Sequence, residues 1–143
     1  MNRERLWHTA CAWKDEAIYV IGGVTGRALI GDKFHRNVYR LDLAKKVFTE
    51  APSLNLGRCH ASSCEANGKI YAFAGKHEKD DTKSMERLNI AEGARNWEMF
   101  SIHFSFHCPM VCALNENHVL ITSGMAGAPT CLFEESTQSC KVI

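Results

Sequence analysis

The chain has 143 residues, the length of one ordinary domain, and 45% of them are hydrophobic against 23% charged, which excludes an intrinsically disordered segment. Its 17 basic residues stand against 16 acidic ones, for a formal net charge of +1, so the charge balance gives no reason to expect nucleic acid or a membrane surface as a partner. The seven cysteines, an odd number without regular spacing, do not form the pattern of a disulfide framework and are read as reduced, mostly buried residues of a cytoplasmic protein. No signal peptide is expected after the charged start Met1–Arg5, and the clearest apolar run, Ala17–Ile21, is far too short to cross a bilayer.

Four short strands are expected in each of three successive segments. In the first, a strand over His8–Trp13 is followed by a turn and then by the apolar run Ile18-Tyr19-Val20-Ile21, which ends in Gly22-Gly23. A continuous apolar strand is buried on both faces. A long mixed loop, Val24–Arg36, leads to a third strand over Asn37–Leu43 and a fourth over Val47–Glu50. The second segment repeats this order at an offset of 52 residues: His60–Cys64, the turn signal Asn67-Gly68, then Ile70-Tyr71-Ala72-Phe73-Ala74-Gly75. Its loop, Lys76–Lys83, is almost entirely charged, and strands are expected over Ser84–Ile90 and Trp97–Ile102. The third segment is a weaker copy, with strands over His107–Leu114, Val119–Ser123, Thr130–Ser136 and Cys140–Ile143, and with Gly124 in the place of the repeat glycine. No stretch has a helical period of useful length, so the fold class is all-β.

These residues resemble the kelch family: Tyr19 with Gly22 and Gly23, Tyr71 with Gly75, Trp97 on the fourth strand with Phe48 in its place in the first copy, and Arg58 shortly before His60. In the third copy Leu120 replaces the tyrosine, Ser123 replaces the first glycine, and no tryptophan stands near Cys140. The resemblance implies β-propeller blades of four antiparallel strands, in one unit over residues 1–143: blade 1 at 1–52, blade 2 at 53–103 and a degenerate blade 3 at 104–143. Tyr19, Tyr71, Trp97 and the glycines are read as structural. Closed propellers have about 4 to 8 blades, so three would leave two apolar faces open. Further blades of a longer chain, a second copy of the chain, or another protein would each cover them. The bare chain is expected not to persist as a monomer.

The resemblance also implies function. Kelch proteins generally bind protein partners with the loops between the second and third strands and with the links between blades. That places the partner face at Arg27, Lys33, Phe34, His35, Arg36, Arg58, Lys76 and His77. The implied roles are scaffold or structural subunit, or substrate recognition for a ubiquitin ligase. The alternative is a kelch-like propeller enzyme acting on a sugar or small molecule. No catalytic residue, cofactor or metal site is assigned. Cys108 and Cys112, four apart on a strand, would be about 13 Å apart, whereas zinc holds its sulfur ligands at about 2.3 Å. Cys59 beside His60 and Cys108 beside His107 do not make nucleophile–base pairs, because neighbours on a strand point apart.

Overall fold

A computed structural model describes residues 4–25, 33–78, 80–106, 108–123 and 127–143, with the Lys33 side chain left aside. Among these residues there is no helix, and none is therefore long and apolar enough to cross a membrane. The first four-stranded sheet holds β1 (Thr9–Trp13), β2 (Ala17–Ile21), β5 (Val38–Asp42) and β6 (Val47–Ala51), with a two-stranded hairpin of β3 (Val24–Thr25) and β4 (Lys33–Phe34) inserted between β2 and β5. The second holds β7 (Ser62–Ala66), β8 (Lys69–Phe73), β11 (Ser84–Asn89) and β12 (Glu98–Ser101), with the hairpin β9 (Lys76–His77) and β10 (Asp80–Asp81) at the corresponding place. The third holds β13 (Pro109–Ala113), β14 (His118–Ser123), β15 (Cys131–Glu134) and β16 (Ser139–Val142). Each sheet runs antiparallel in chain order, and β7 lies against β1 on one side and β13 on the other. The molecule is thus a row of propeller blades with β1, β7 and β13 as inner strands.

Repeat-equivalent residues adopt the same unusual backbone. Lys14 and Asn67 have positive φ at the turn after the inner strand, as do Lys46 and Gln138 between the third and fourth strands. At the end of the apolar strand, Gly23 and Gly75 have φ of 94° and 87°, and the residues before them, Gly22 and Ala74, 65° and 49°. Glycine is needed at Gly75 for space as well as for backbone angle, since a Cβ there would sit 2.6 Å from the Cys59 carbonyl oxygen. At Gly22 a Cβ would meet the Arg58 carbonyl even more closely. Close passage of the inter-blade links is therefore what these glycines permit.

Register decides which face of each blade meets a neighbour. Tyr19, Ile21 and Val38 of blade 1 pack against Ile70, Ala72, Leu88 and Trp97 of blade 2. The opposite face of blade 2, with Cys64, Tyr71, Phe73 and Met85, packs against Val119, Ile121, Cys131 and Phe133 of blade 3. Tyr71, Phe73 and Phe133 form a triangle of rings with centroids 5.8 to 5.9 Å apart. The same periodicity sends Ile18 and Leu41 to the far side of blade 1, where no second blade lies among the described residues. The expectation that Ile18 is buried is corrected accordingly. It is only half-buried, while its repeat equivalent Ile70 is sealed.

A polar clasp ties blade 3 to blade 2. Glu135, on the turn between β15 and β16, accepts bonds from Lys69 Nζ at 2.5 Å, Arg87 Nη1 at 2.6 Å and the Tyr71 hydroxyl at 2.7 Å. Burial alone would push the Glu135 carboxyl up, but the bonds from Lys69 and Tyr71 and the charges of Arg87 and Lys69 outweigh it and hold it below the usual range. Burial, then Glu135, push the Tyr71 hydroxyl well up. A depressed carboxyl adds stability that is complete above the unfolded value of about 4.3 and is lost as pH falls through the folded value. Glu135→Gln is expected to cost about 1–3 kcal/mol at neutral pH. In thermal melts, the gap to the unchanged protein should narrow below about pH 4; a gap independent of pH would show that the charge of Glu135 is not what matters.

Candidate functional site

The two small hairpins and the links into the inner strands lie together at one end of the blades. Each link is laced to the hairpin of its own blade. Leu6 exchanges two backbone bonds with Val24, at 2.9 and 3.0 Å, and Cys59 exchanges two with Lys76, at 3.0 and 2.7 Å. The residue after each laced position turns left-handed: Trp7 and His60 have φ of 54° and 52°. Cys108, before the third inner strand, has φ of 47°. This turn brings the Trp7 and His60 rings face to face with centroids 4.5 Å apart, while His60 N–H donates to the Trp7 carbonyl at 3.0 Å.

Between these links and hairpins lies a cleft of about 190 Å³ lined by Trp7, Val24, Phe34, Cys59, His60, Lys76 and Glu78. Val24 and Cys59 form its buried floor, Trp7 is 42% exposed at its rim, and Lys76 and Glu78 supply one charge of each sign. Such a mixture of exposed aromatic surface and flanking charge suits a protein side chain.

The predicted partner face is divided by the structure. Phe34 and Lys76 line the cleft, and His77 stands behind it, 5.4 Å from the Phe34 ring, with Nδ1 2.6 Å from the Gly57 carbonyl. Arg36 is exposed, with Nε donating to the Leu54 carbonyl at 2.7 Å. His35 is buried, its Nε2 2.9 Å from the Thr25 hydroxyl. Arg27 and Gly124 lie outside the described residues, and for Lys33 only the backbone in β4 is described.

Arg58 is the clear correction. Its side chain has no exposure and cannot meet a partner. Its Nη2 pairs with Glu86 Oε1 at 2.8 Å, and its Nη1 donates to the carbonyls of Ala74 at 2.7 Å and Ser84 at 3.1 Å. Arg5, its repeat equivalent, donates likewise to Gly22 and Asn37 at 2.8 and 3.1 Å. Sequence reasoning passed over Trp7, His60 and Glu78 as cleft residues. The usable signal was that Trp7 and His60 occupy one repeat position on a loop, just ahead of the inner strand.

The cysteines are poor nucleophiles where they are enclosed: burial pushes the Cys11, Cys64 and Cys140 thiols up to about 12. Among the described residues no three His, Cys, Asp or Glu side chains converge closely enough to hold a metal ion.

Comparison with known families matches the Kelch motif to residues 8–55, which covers β1 to β6 and the start of the link beyond. No curated protein matches the chain. The matched segment contains Tyr19, Gly22 and Gly23, and the Gly23 amide donates to the Arg58 carbonyl at 2.8 Å, so the motif glycines seat the link into the next blade. The first sheet is a kelch motif by sequence, and the other two repeat its four-stranded antiparallel architecture, which is consistent with blades of a partial propeller.

Proposed function

We propose that this chain is a non-catalytic protein–protein interaction module that captures its partner at the loop face, with the cleft between blades 1 and 2 as the anchor. Kelch-type propellers serve in general as interaction modules. The observation that carries the reading here is the exposed Trp7–His60 stack beside Phe34, Lys76 and Glu78, a cleft whose floor is apolar and whose rim is charged. Interface anchors are typically aromatic side chains set in such a ring. We assign it a role as scaffold or structural subunit, or as the substrate-recognition part of a ubiquitin ligase. We read residues 1–143 as one propeller unit divided at 52 and 103. Seven cysteines with no disulfide among the described residues, three of them buried, support a cytoplasmic setting.

Affinity capture from cell extract with paired variants tests this. Trp7→Ala with Lys76→Glu should remove the captured proteins and leave the thermal midpoint within a few degrees. Losing one interface anchor alone costs about 2 kcal/mol or more of binding. Lys14→Glu and Lys45→Glu, exposed on turns at the opposite end of blade 1, should leave capture intact. Equal losses from both pairs would mean that the loop face is not the binding surface. Lys69 is unsuitable as a control, because it belongs to the Glu135 clasp.

A further inference from the structure

Sulfur gathers at the seam between blades 2 and 3. Cys131 on β15 and Cys140 on β16 both pack into the core of that seam. The register sets them on a diagonal, with Cys131 opposite Val142 and Cys140 opposite Phe133. The Ile143 N–H donates to the Thr130 carbonyl at 3.0 Å, which marks Thr130 and Ile143 as a hydrogen-bonded pair of this ladder. By alternation, the Cys131 and Cys140 pairs are the non-bonded ones, whose side chains stand closer together. The two thiols lie within hydrogen-bonding reach of each other. From blade 2, Met85 on β11 enters the same core fully buried. Met85 and Cys140 line one cavity of about 130 Å³, together with Ser101, His103, Gln138 and Ser139.

Two thiols and a thioether, all soft donors, thus come to one place from two blades. The Cα atoms of such a diagonal are about 7–8 Å apart, whereas disulfides rarely span more than about 6.8 Å. A metal ion between the sulfurs relaxes that demand, because bonds of about 2.3 Å let them stand up to about 4.6 Å apart. Zinc is a poor fit. It takes four nitrogen, sulfur or carboxylate ligands, and among the described residues no three His, Cys, Asp or Glu side chains gather here. Thiolates with a thioether select Cu(I) instead.

We infer that the seam between blades 2 and 3 is a site for one soft monovalent cation, Cu(I), with the Cys131 and Cys140 sulfurs as thiolate ligands and the Met85 thioether as third donor. One Cu(I) ion replaces two thiol protons, which leave to solvent, and no electron is transferred. The complex keeps one negative charge, and the polar side chains of Ser101, His103, Gln138 and Ser139 line the cavity beside it. His103 and Gln138 are exposed and mark the way in from solvent. Because its ligands come from both blades, the cation clips blade 3 to blade 2. The inference is independent of the loop-face reading, since the cleft lies between blades 1 and 2.

Cys108 and Cys112 are exposed, so Cys108→Ser with Cys112→Ser first removes surface thiols that would take up copper unspecifically. Anaerobic titration of this protein with Cu(I), against the chelator bathocuproine disulfonate, should show one ion bound per chain. X-ray absorption should find only sulfur around it. In the same background Cys140→Ser should weaken binding by more than about a hundredfold, and Met85→Leu by about tenfold. Both variants should keep the strand spectrum in circular dichroism, since Cys140 is half-buried and leucine conserves the volume of methionine. A second readout leaves all three ligands in place: Cu(I) should raise the thermal midpoint of the background protein by several degrees. The Cys140→Ser protein should show no such rise. Copper held equally well by Cys140→Ser would lie on Cys11, Cys59 or Cys64 and would overturn the inference. So would complete loss of the ion to the chelator, nitrogen or oxygen ligands in the absorption spectrum, or an equal rise in midpoint with Zn(II).

Discussion

Glu86→Ala is expected to cost about 3–5 kcal/mol of folding stability, the largest single effect in the molecule. Both Glu86 and Arg58 are wholly enclosed, and their 2.8 Å ion pair sits where the link between blades 1 and 2 crosses under the second sheet. Burial lowers the Arg58 pKa while the Glu86 carboxylate opposes that shift. Guanidinium remains charged in proteins, so removing Glu86 leaves a buried cation without its counter-charge. It also orphans the Asn55 and Leu56 amides. For that reason a paired apolar replacement, Arg58→Met with Glu86→Leu, should not recover stability as it does for some buried ion pairs. The Ala74 carbonyl would lose its donor as well, and the Ser84 carbonyl would keep only the Ala74 N–H. Arg5→Ala, which removes similar bonds at a partly exposed place, should cost about 1 kcal/mol. Urea titration gives all of these values. A Glu86→Ala loss below about 1 kcal/mol, typical of surface changes, would mean that water reaches the pair.

Trp97→Ala should come next, at about 3–5 kcal/mol, while Phe48→Ala, at the same repeat position, should cost less than about 1 kcal/mol when measured at dilution. Trp97 is 4% exposed and Phe48 37%. The difference comes from what lies opposite. Trp97 is clamped between its own sheet and blade 1, and its indole N–H donates to the Pro52 carbonyl at 2.7 Å. Phe48 stands on the side of blade 1 that has no neighbouring blade among the described residues. Similar losses at both positions would contradict that assignment of faces.

The contrast between these two residues also shows where sequence reading reached and where it stopped. Repetition at a spacing of 52 residues identified the strands, because a continuous apolar run ending in glycine is a local signal. It identified Ile70, Ala72, Tyr71 and Trp97 as core. It could not separate Ile18 from Ile70, which share a pattern and differ only in having a blade beside them. Arg58 misled for a related reason. A lone arginine on a link reads as a surface charge, and the carboxylate that encloses it, Glu86, lies 28 residues further on in a strand of the next sheet. The long loop after Gly23 read as irregular, yet Val24–Thr25 and Lys33–Phe34 pair as a hairpin, and that pairing shapes the cleft. Trp7 entered the site through a left-handed backbone that a tryptophan does not advertise.

Among the described residues only blade 2 is flanked on both sides, which makes these three blades a one-dimensional chain of couplings with its keystone in the middle. Opening either outer blade breaks one interface, whereas opening the central one breaks two. The hydrogen-bond ladder of β8 and β11 is therefore the last to part, and fraying belongs first to β6 and β16, outer strands that, unlike β12, belong to blades with a neighbour on one side only among the described residues. Slow amide exchange would map the middle of this protein, and fast exchange its two flanks.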